Sequence, residues 1–346
     1  SRQVYELHDD YRVWLREKAG ADVDYAEHGI GCNSWVARPW HLPERLHPTN
    51  WVVHQSIDFL RRRDPDKPFF LWMSFVRPHA PLDPPAHYFE QYLRRDIPSP
   101  RVGEWVDRDM PENPGLPPDA GRGRLREHEL RRAQAAYYAL ITHIDHQIGR
   151  FLEVLGEYDE LHNTLVLFTS DHGELLGDHH LFRKALPYEG SARVPLILCL
   201  PPSRWPQGNT ASPPVELRDV MPTLLDAAGV SIPDSVDGQS LLPWVRGEQV
   251  PWRCYIHGEH AYGDASNHWL TDGRHKYVWF SQSGREQLFD LENDPDELHD
   301  LSTVVAFATE VAWWRQRLVE ELTGREEGYV KDGRLVSGRR PRAVLG

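Results

Sequence analysis

A short apolar run, Leu165-Val166-Leu167-Phe168, ends in Thr169-Ser170-Asp171-His172-Gly173-Glu174, and a loop dense in His, Asp, Lys and Arg follows. This order constrains the fold more than any other stretch. It reads as a buried strand that releases a carboxylate and an imidazole at its carboxyl end. In open α/β sheets sites are built at that end, and such a pair offers one oxygen and one nitrogen donor to a divalent cation. The plainer reading is that Asp171 caps a turn and His172 packs beside it.

The flanking pattern supports an α/β sheet. A helix over about 49–62 leads into the apolar run 69–76, closed by Pro78, which predicts a second buried strand. A long helix over about 126–156, with Leu130, Tyr137, Ile141, Ile144, Ile148, Phe151, Leu152 and Leu155 at apolar positions, feeds the strand that ends at Asp171. Residues 195–200 predict another buried strand, and residues 3–19, with Val4 and Leu7 on the apolar face, predict a helix ending near Gly20. Repeated Pro, Gly and Asp over 97–123 mark a surface excursion, a lid or an insertion.

From about residue 250 the pattern changes. After a helix over 216–228 capped by Gly229, short aromatic strands are expected at 253–257, 269–271, 276–280 and 287–291, with a closing helix over 302–322. With 346 residues the chain exceeds what one hydrophobic core usually serves, so we expect an α/β domain over 1–248 and a small antiparallel lobe over 249–346.

Composition narrows the function classes. A hydrophobic fraction of 40% with 26% charged residues excludes disorder throughout. A formal charge of −13 opposes nonspecific nucleic-acid binding, which rests on Lys and Arg displacing counterions. Cys32, Cys199 and Cys254 are too few and scattered for a disulfide framework. No apolar run reaches the length of a membrane span, so a soluble protein of cytoplasm or periplasm is expected. The chain opens on Ser1 without an initiator Met or a secretory segment, and reads as starting inside a larger protein.

Three motifs in order carry a resemblance. They are Phe69-Phe70-Leu71-Trp72-Met73-Ser74-Phe75 running into Arg77-Pro78-His79-Ala80-Pro81; the Asp171 stretch continuing through Gly177-Asp178-His179-His180-Leu181-Phe182-Arg183-Lys184; and Leu288-Phe289-Asp290-Leu291-Glu292-Asn293-Asp294-Pro295. Over about 49–322 the chain resembles the sulfatase family. The resemblance implies an alkaline-phosphatase-like α/β/α sandwich with a smaller C-terminal lobe. It implies Asp171 and His172 as metal ligands, Lys184 on the sulfate group, and His79 near the leaving-group oxygen. His180 is placed with His79 and Lys184 as substrate-binding, although Asp178, His179 and His180 also fit a bracing role. The expected substrate is a small-molecule sulfate ester, and an oligomer is left open. Calcium is the usual family metal; many members carry Asn where this chain has His172, which leaves Mn2+ or Mg2+ open as well.

Other features fit less well. His257-Gly258-Glu259-His260 resembles a metal cluster, but no partner ligand lies at a recognised spacing, so pocket rim or plain surface is expected. The family nucleophile, a Cys or Ser in a Cys/Ser-x-Pro-x-Arg motif converted to formylglycine, has no counterpart: Cys32 to Arg38 lacks the Pro and spaces the Arg differently. Asp9-Asp10 imitates the family's acidic pair but opens a helix with no strand before it. The expectation is that the nucleophile segment precedes Ser1. Sulfuric-ester hydrolysis of the arylsulfatase kind is the leading activity. Phosphonate monoester or phosphodiester hydrolysis on the same scaffold, and an inactive Trp-rich binding module, compete with it.

Overall fold

The computed structural model describes residues 9–107, 110–201, 208 and 210–342. Contacts divide the chain into two compact units: Ser1–Pro100, Met110–Asn163 and His180–Phe182 form the first, and Arg101–Asp109, Thr164–His179 and Arg183–Gly346 the second. This partition by contacts interleaves along the sequence, and residues 249–346 fall in the second unit.

The first unit is helical. Helix α1, Asp10–Ala19, begins at Asp9, whose carboxylate accepts the Arg12 N–H at 3.3 Å, so the acidic pair is a helix start as expected. The predicted residues 3–8 of this helix, Val4 and Leu7 among them, lie outside the described residues. Helix α2, Pro48–Arg62, carries Pro at its first turn, where the missing N–H has no intrahelical role. Helix α3 is Ala86–Leu93, and α4, Glu127–Glu157, runs for 31 residues. Val53, Ile57 and Leu60 of α2 pack against Phe151 and Leu155 of α4, while Phe89 of α3 meets Ala133, Ala136 and Leu140.

The buried stripe of α4 keeps Ile144, Phe151 and Leu155 of the predicted set and adds residues that the pattern did not name. It includes Ala133, Ala136, Leu140, His143 and Gln147, whereas Ile141 is 42% exposed. Small alanines admit the neighbouring helix closely, and the polar pair His143 Nε2 to Asn50 Oδ1, 2.7 Å, is buried between helices. A pattern search keyed to large apolar residues misses such a face.

The expected buried strand at 69–76 is not formed. The segment has no strand pairing but keeps a two-residue alternation: Phe69, Leu71, Met73 and Phe75 pack on the α2–α4 cluster. Phe70, Trp72 and Val76 on the other face are 71%, 82% and 59% exposed. An apolar run with only one covered side is what the sequence pattern cannot distinguish from a strand covered on both.

In the second unit, β1, Val166–Thr169, pairs antiparallel with β2, Leu196–Cys199, in a two-stranded ladder. Both strands occur where expected, but Phe168 and Ile197 are 41% and 52% exposed, so neither is fully buried. Four further strands form a meander in the order β3-β4-β5-β6: Ile256–His260, Asn267–Thr271, His275–Phe280 and Glu286–Asp290. The first of these is displaced along the chain from its expected position at 253–257. The remaining helices are α5, Glu189–Ala192; α6, Val220–Ala227; α7, Leu242–Val245; and α8, Ala308–Leu322. Trp314, Leu318 and Leu322 of α8 pack on Leu270, Tyr277, Trp279 and Leu288 of the meander. A final hairpin pairs β7, Val330–Lys331, with β8, Arg334–Leu335.

Candidate functional site

The turn after β1 is fixed by local bonds between side chains and main chain. Ser170 Oγ donates to the His172 carbonyl at 2.7 Å, and the His172 N–H donates to Asp171 Oδ1 at 3.0 Å. The Gly173 N–H donates to the Ser191 carbonyl at 2.8 Å. A Cβ at Gly173 would stand 2.2 Å from the Gly190 carbonyl oxygen, so only glycine fits where these two segments cross.

His172 is oriented like a metal ligand. Its Nδ1 lies 2.8 Å from the Gly173 carbonyl, a contact made with the proton on Nδ1, so in the neutral ring Nε2 carries the lone pair. Nε2 stands 3.6 Å from Asp171 Oδ2, and the Asp171 side chain is 84% exposed. One carboxylate oxygen and one imidazole nitrogen therefore lie close enough together to share a cation. These residues fit a divalent metal, with the second-neighbour hydrogen bond that such histidines require already present.

The loop that carries Lys184 is stapled to the same turn. Glu174 Oε1 accepts the N–H groups of Leu176, at 3.0 Å, and of Arg183, and the Leu175 N–H donates to the Arg183 carbonyl at 3.0 Å. Lys184 follows directly and is half-buried. Beyond it, Glu189 at the start of α5 is held by Lys276 of β5. Lys276 Nζ, closed to solvent, donates to Glu189 Oε1 at 2.6 Å, to the Pro187 carbonyl at 2.8 Å and to Glu297 Oε1 at 2.9 Å.

Asp178 and His179 act as braces in the second unit. Asp178 Oδ1 accepts the Arg101 N–H at 2.9 Å, and burial pushes its carboxyl above the usual range. His179 is 3% exposed; its Nδ1 accepts the Gly103 N–H at 3.1 Å, and its ring packs against Trp105 and Tyr188. His180 groups with the first unit, where its carbonyl accepts the Gly123 N–H at 2.9 Å.

His79 also belongs to the first unit, half-buried between Pro78 and Pro81, with Nδ1 2.9 Å from the Ala80 carbonyl. Its segment hangs on a buried carboxylate. Arg77 donates from Nε and Nη2 to the two oxygens of Asp83, both at 2.7 Å, and Asp83 is fully buried. His28 Nδ1 accepts the Ile30 N–H, so its Nε2 carries the proton and donates to Asp83 Oδ2 at 3.2 Å. Burial alone would raise the Asp83 pKa, but His28, His47 and Arg77 together hold it far below the usual carboxylate range. Sequence reasoning overlooked this support and the Lys276 cluster. The only local signals were an Arg and an Asp flanking His79, and a lone Lys within an aromatic strand.

A profile of the sulfatase family matches residues 8–230. This chain belongs to the sulfatase family. A second profile, N-sulphoglucosamine sulphohydrolase C-terminal, matches residues 177–324 of this sulfatase-family chain. An arylsulfatase of Clostridium perfringens is 53% identical over 95% of the chain, which spans 69% of that protein. The multifunctional alkaline phosphatase superfamily protein PehA of Trinickia caryophylli is 31% identical over 88% of the chain, which spans 63% of it. Among solved structures, the phosphonate monoester hydrolase of Agrobacterium radiobacter matches with a TM-score of 0.75 at 24% identity, covering 96% of this chain and 73% of that one. The fold is therefore the alkaline-phosphatase-like α/β fold. Sulfatases of this family use a divalent metal and a formylglycine nucleophile. Among the described residues, no helix is long and apolar enough to cross a membrane.

Proposed function

We propose that this chain belongs to a metal-dependent sulfuric-ester hydrolase of the arylsulfatase kind, with an α/β domain over 1–248 and a C-terminal lobe over 249–346. The observation that carries this reading is the approach of Asp171 Oδ2 to His172 Nε2, 3.6 Å, with Nδ1 of the same ring engaged by the Gly173 carbonyl. Similarity to the Clostridium perfringens arylsulfatase supports sulfate as the group transferred.

In this reading Asp171 and His172 hold the metal, calcium being the first choice and manganese the next because His172 supplies nitrogen. When bound, the cation polarises the ester and offsets charge that develops on its oxygens. Lys184 contributes a compact ammonium to the equatorial sulfate oxygens, on a backbone fixed through Arg183. His79, with Nδ1 committed to the Ala80 carbonyl, presents Nε2 to hold the proton that the departing alcohol oxygen takes. His180 is assigned to substrate contact.

A second reading has one specific support. PehA is 31% identical and His172 stands where many sulfatases have Asn, so phosphonate monoester hydrolysis on the same residues is the competitor. Turnover of 4-nitrophenyl sulfate and of 4-nitrophenyl phenylphosphonate by the natural polypeptide that carries this sequence decides between them. We expect the sulfate ester to be preferred and Asp171→Asn to abolish its turnover. A higher kcat/KM on the phosphonate overturns the first reading, and no turnover of either ester overturns both.

A further inference from the structure

The edge of the C-terminal meander holds a group of side chains that the hydrolytic reading leaves unused. His257 and Glu259 alternate with Gly258 on β3, so both project from one face. The antiparallel register sets His268 of β4 directly opposite Glu259 and Leu270 opposite His257. The ligand atoms of His257, Glu259 and His268 all lie within 4.8 Å of one another.

Protons satisfy their close contacts poorly, at best through one hydrogen shared between two acceptors. His268 Nδ1 lies 3.3 Å from His257 Nε2 and 3.2 Å from Glu259 Oε2. A ring nitrogen carries either one hydrogen or one lone pair in its plane. With a hydrogen on Nδ1, two acceptors compete for it; with a lone pair there, the carboxylate faces another lone pair. The two rings are held parallel, 12° apart, and His268 is 4% exposed, so the contact between the imidazoles does not relax by simple rotation into water.

We propose that His257, Glu259 and His268 form a three-ligand site for a borderline divalent transition metal of the Zn2+ class, with a further position left open. Zinc bonds of roughly 2.0–2.1 Å in a tetrahedral shell place neighbouring donor atoms about 3.3 Å apart, the separation at which both contacts stand. Two imidazoles and one carboxylate are a donor set that such ions prefer over calcium. The carboxylate is already oriented from behind. Arg325 donates to Glu259 Oε1 at 3.2 Å and stands 3.1 Å from Oε2, while Glu327 takes the opposite side of the same guanidinium at 3.1 and 3.3 Å. Glu327 thereby offsets the repulsion between Arg325 and an incoming cation. Glu259 keeps 40% of its side chain exposed, which gives the ion an entry path and leaves room for water or a ligand's donor atom. An ion here ties β3, at the end of the strand order, to β4 through both strands' side chains. The site shares no residue with the Asp171 turn.

The test uses the whole chain, freed of metal with a chelator and titrated with Co2+ and Zn2+. Wild type is expected to take up Co2+ with a visible ligand-field band of a low-coordinate N/O site, displaced by Zn2+, and to melt at a higher temperature with Zn2+ than without. His257→Ala and Glu259→Gln should lose the band and weaken Zn2+ binding by about tenfold or more, since even outer partners of a metal are felt on that scale. Asp171→Asn should retain the band. Circular dichroism of each metal-free variant separates lost binding from lost folding, and the more exposed Glu259 variant serves if His257→Ala misfolds. A band absent from wild type, unchanged in both ligand variants, or lost with Asp171→Asn overturns the assignment.

Discussion

Lys276 Nζ and Glu297 Oε1 form an ion pair 2.9 Å long with both side chains shut away from water. Burial pushes the Glu297 carboxyl up, and the lysine beside it works against that. Removing only the cation leaves a buried acid without its partner. Lys276→Met should therefore cost about 3–5 kcal/mol of stability, read as a lower urea midpoint at pH 7. Adding Glu297→Gln should recover part of that loss. A single Lys276→Met variant as stable as wild type would show the pair to be idle.

Acid should weaken the first unit through its buried histidines. Burial, with His47 and His146 nearby, lowers the His143 pKa to about 3, and burial lowers His47 also. A histidine depressed in the folded state takes its proton more readily when unfolded. Its contribution is whole above the unfolded value near 6.5 and is lost as pH falls toward the folded value. In His143→Gln the slope of stability against pH between about 6 and 4 should fall by as much as about 1.4 kcal/mol per pH unit, one proton's worth. Denaturant titrations at three pH values give that slope; an unchanged slope contradicts the assignment.

Metal choice at the Asp171 turn should follow the donor at position 172. Replacing His172 by Asn exchanges nitrogen for oxygen, so Ca2+ should gain on Mn2+ in competitive titration calorimetry. Gly173→Ala probes the same turn without touching a ligand. The added methyl cannot coexist with the Gly190 carbonyl 2.2 Å away, so both metals should bind more weakly. Wild-type affinity in Gly173→Ala would mean the ligands are not held by this crossing.

The face formed by Phe70, Trp72 and Val76 should make the chain self-associate, because apolar side chains this exposed favour mutual burial. Trp72→Lys is predicted to lower the weight-average mass in sedimentation at micromolar concentration. Equal masses for the two proteins would remove this face from consideration.

Much of this molecule could be read from spacing. The turn at Asp171, the helix that became α4 and the aromatic meander all announce themselves by local period and by Gly or Asn punctuation. What escaped reading was side-chain pairing that no period encodes. Arg77 meets Asp83 inside a loop, Lys276 reaches Glu189 across 87 positions, and His268 completes a cluster begun at His257 only through strand register. A continuous apolar run predicted a buried strand at residues 69–76, but such a run cannot reveal whether a pairing neighbour exists. Leu165-Val166-Leu167-Phe168 misled in the same way: its composition promised cover on both sides, and Phe168 has it on one at most.

Asp83 receives hydrogen bonds from His28 and Arg77 and faces His47 at 3.9 Å, so three stretches of chain share a single acceptor. Drift at that position would strand several donors at once, whereas each donor can vary with the others still in place. The segment bearing His79 is thus hard to remodel from its base, because a change there asks three separate stretches to move in concert.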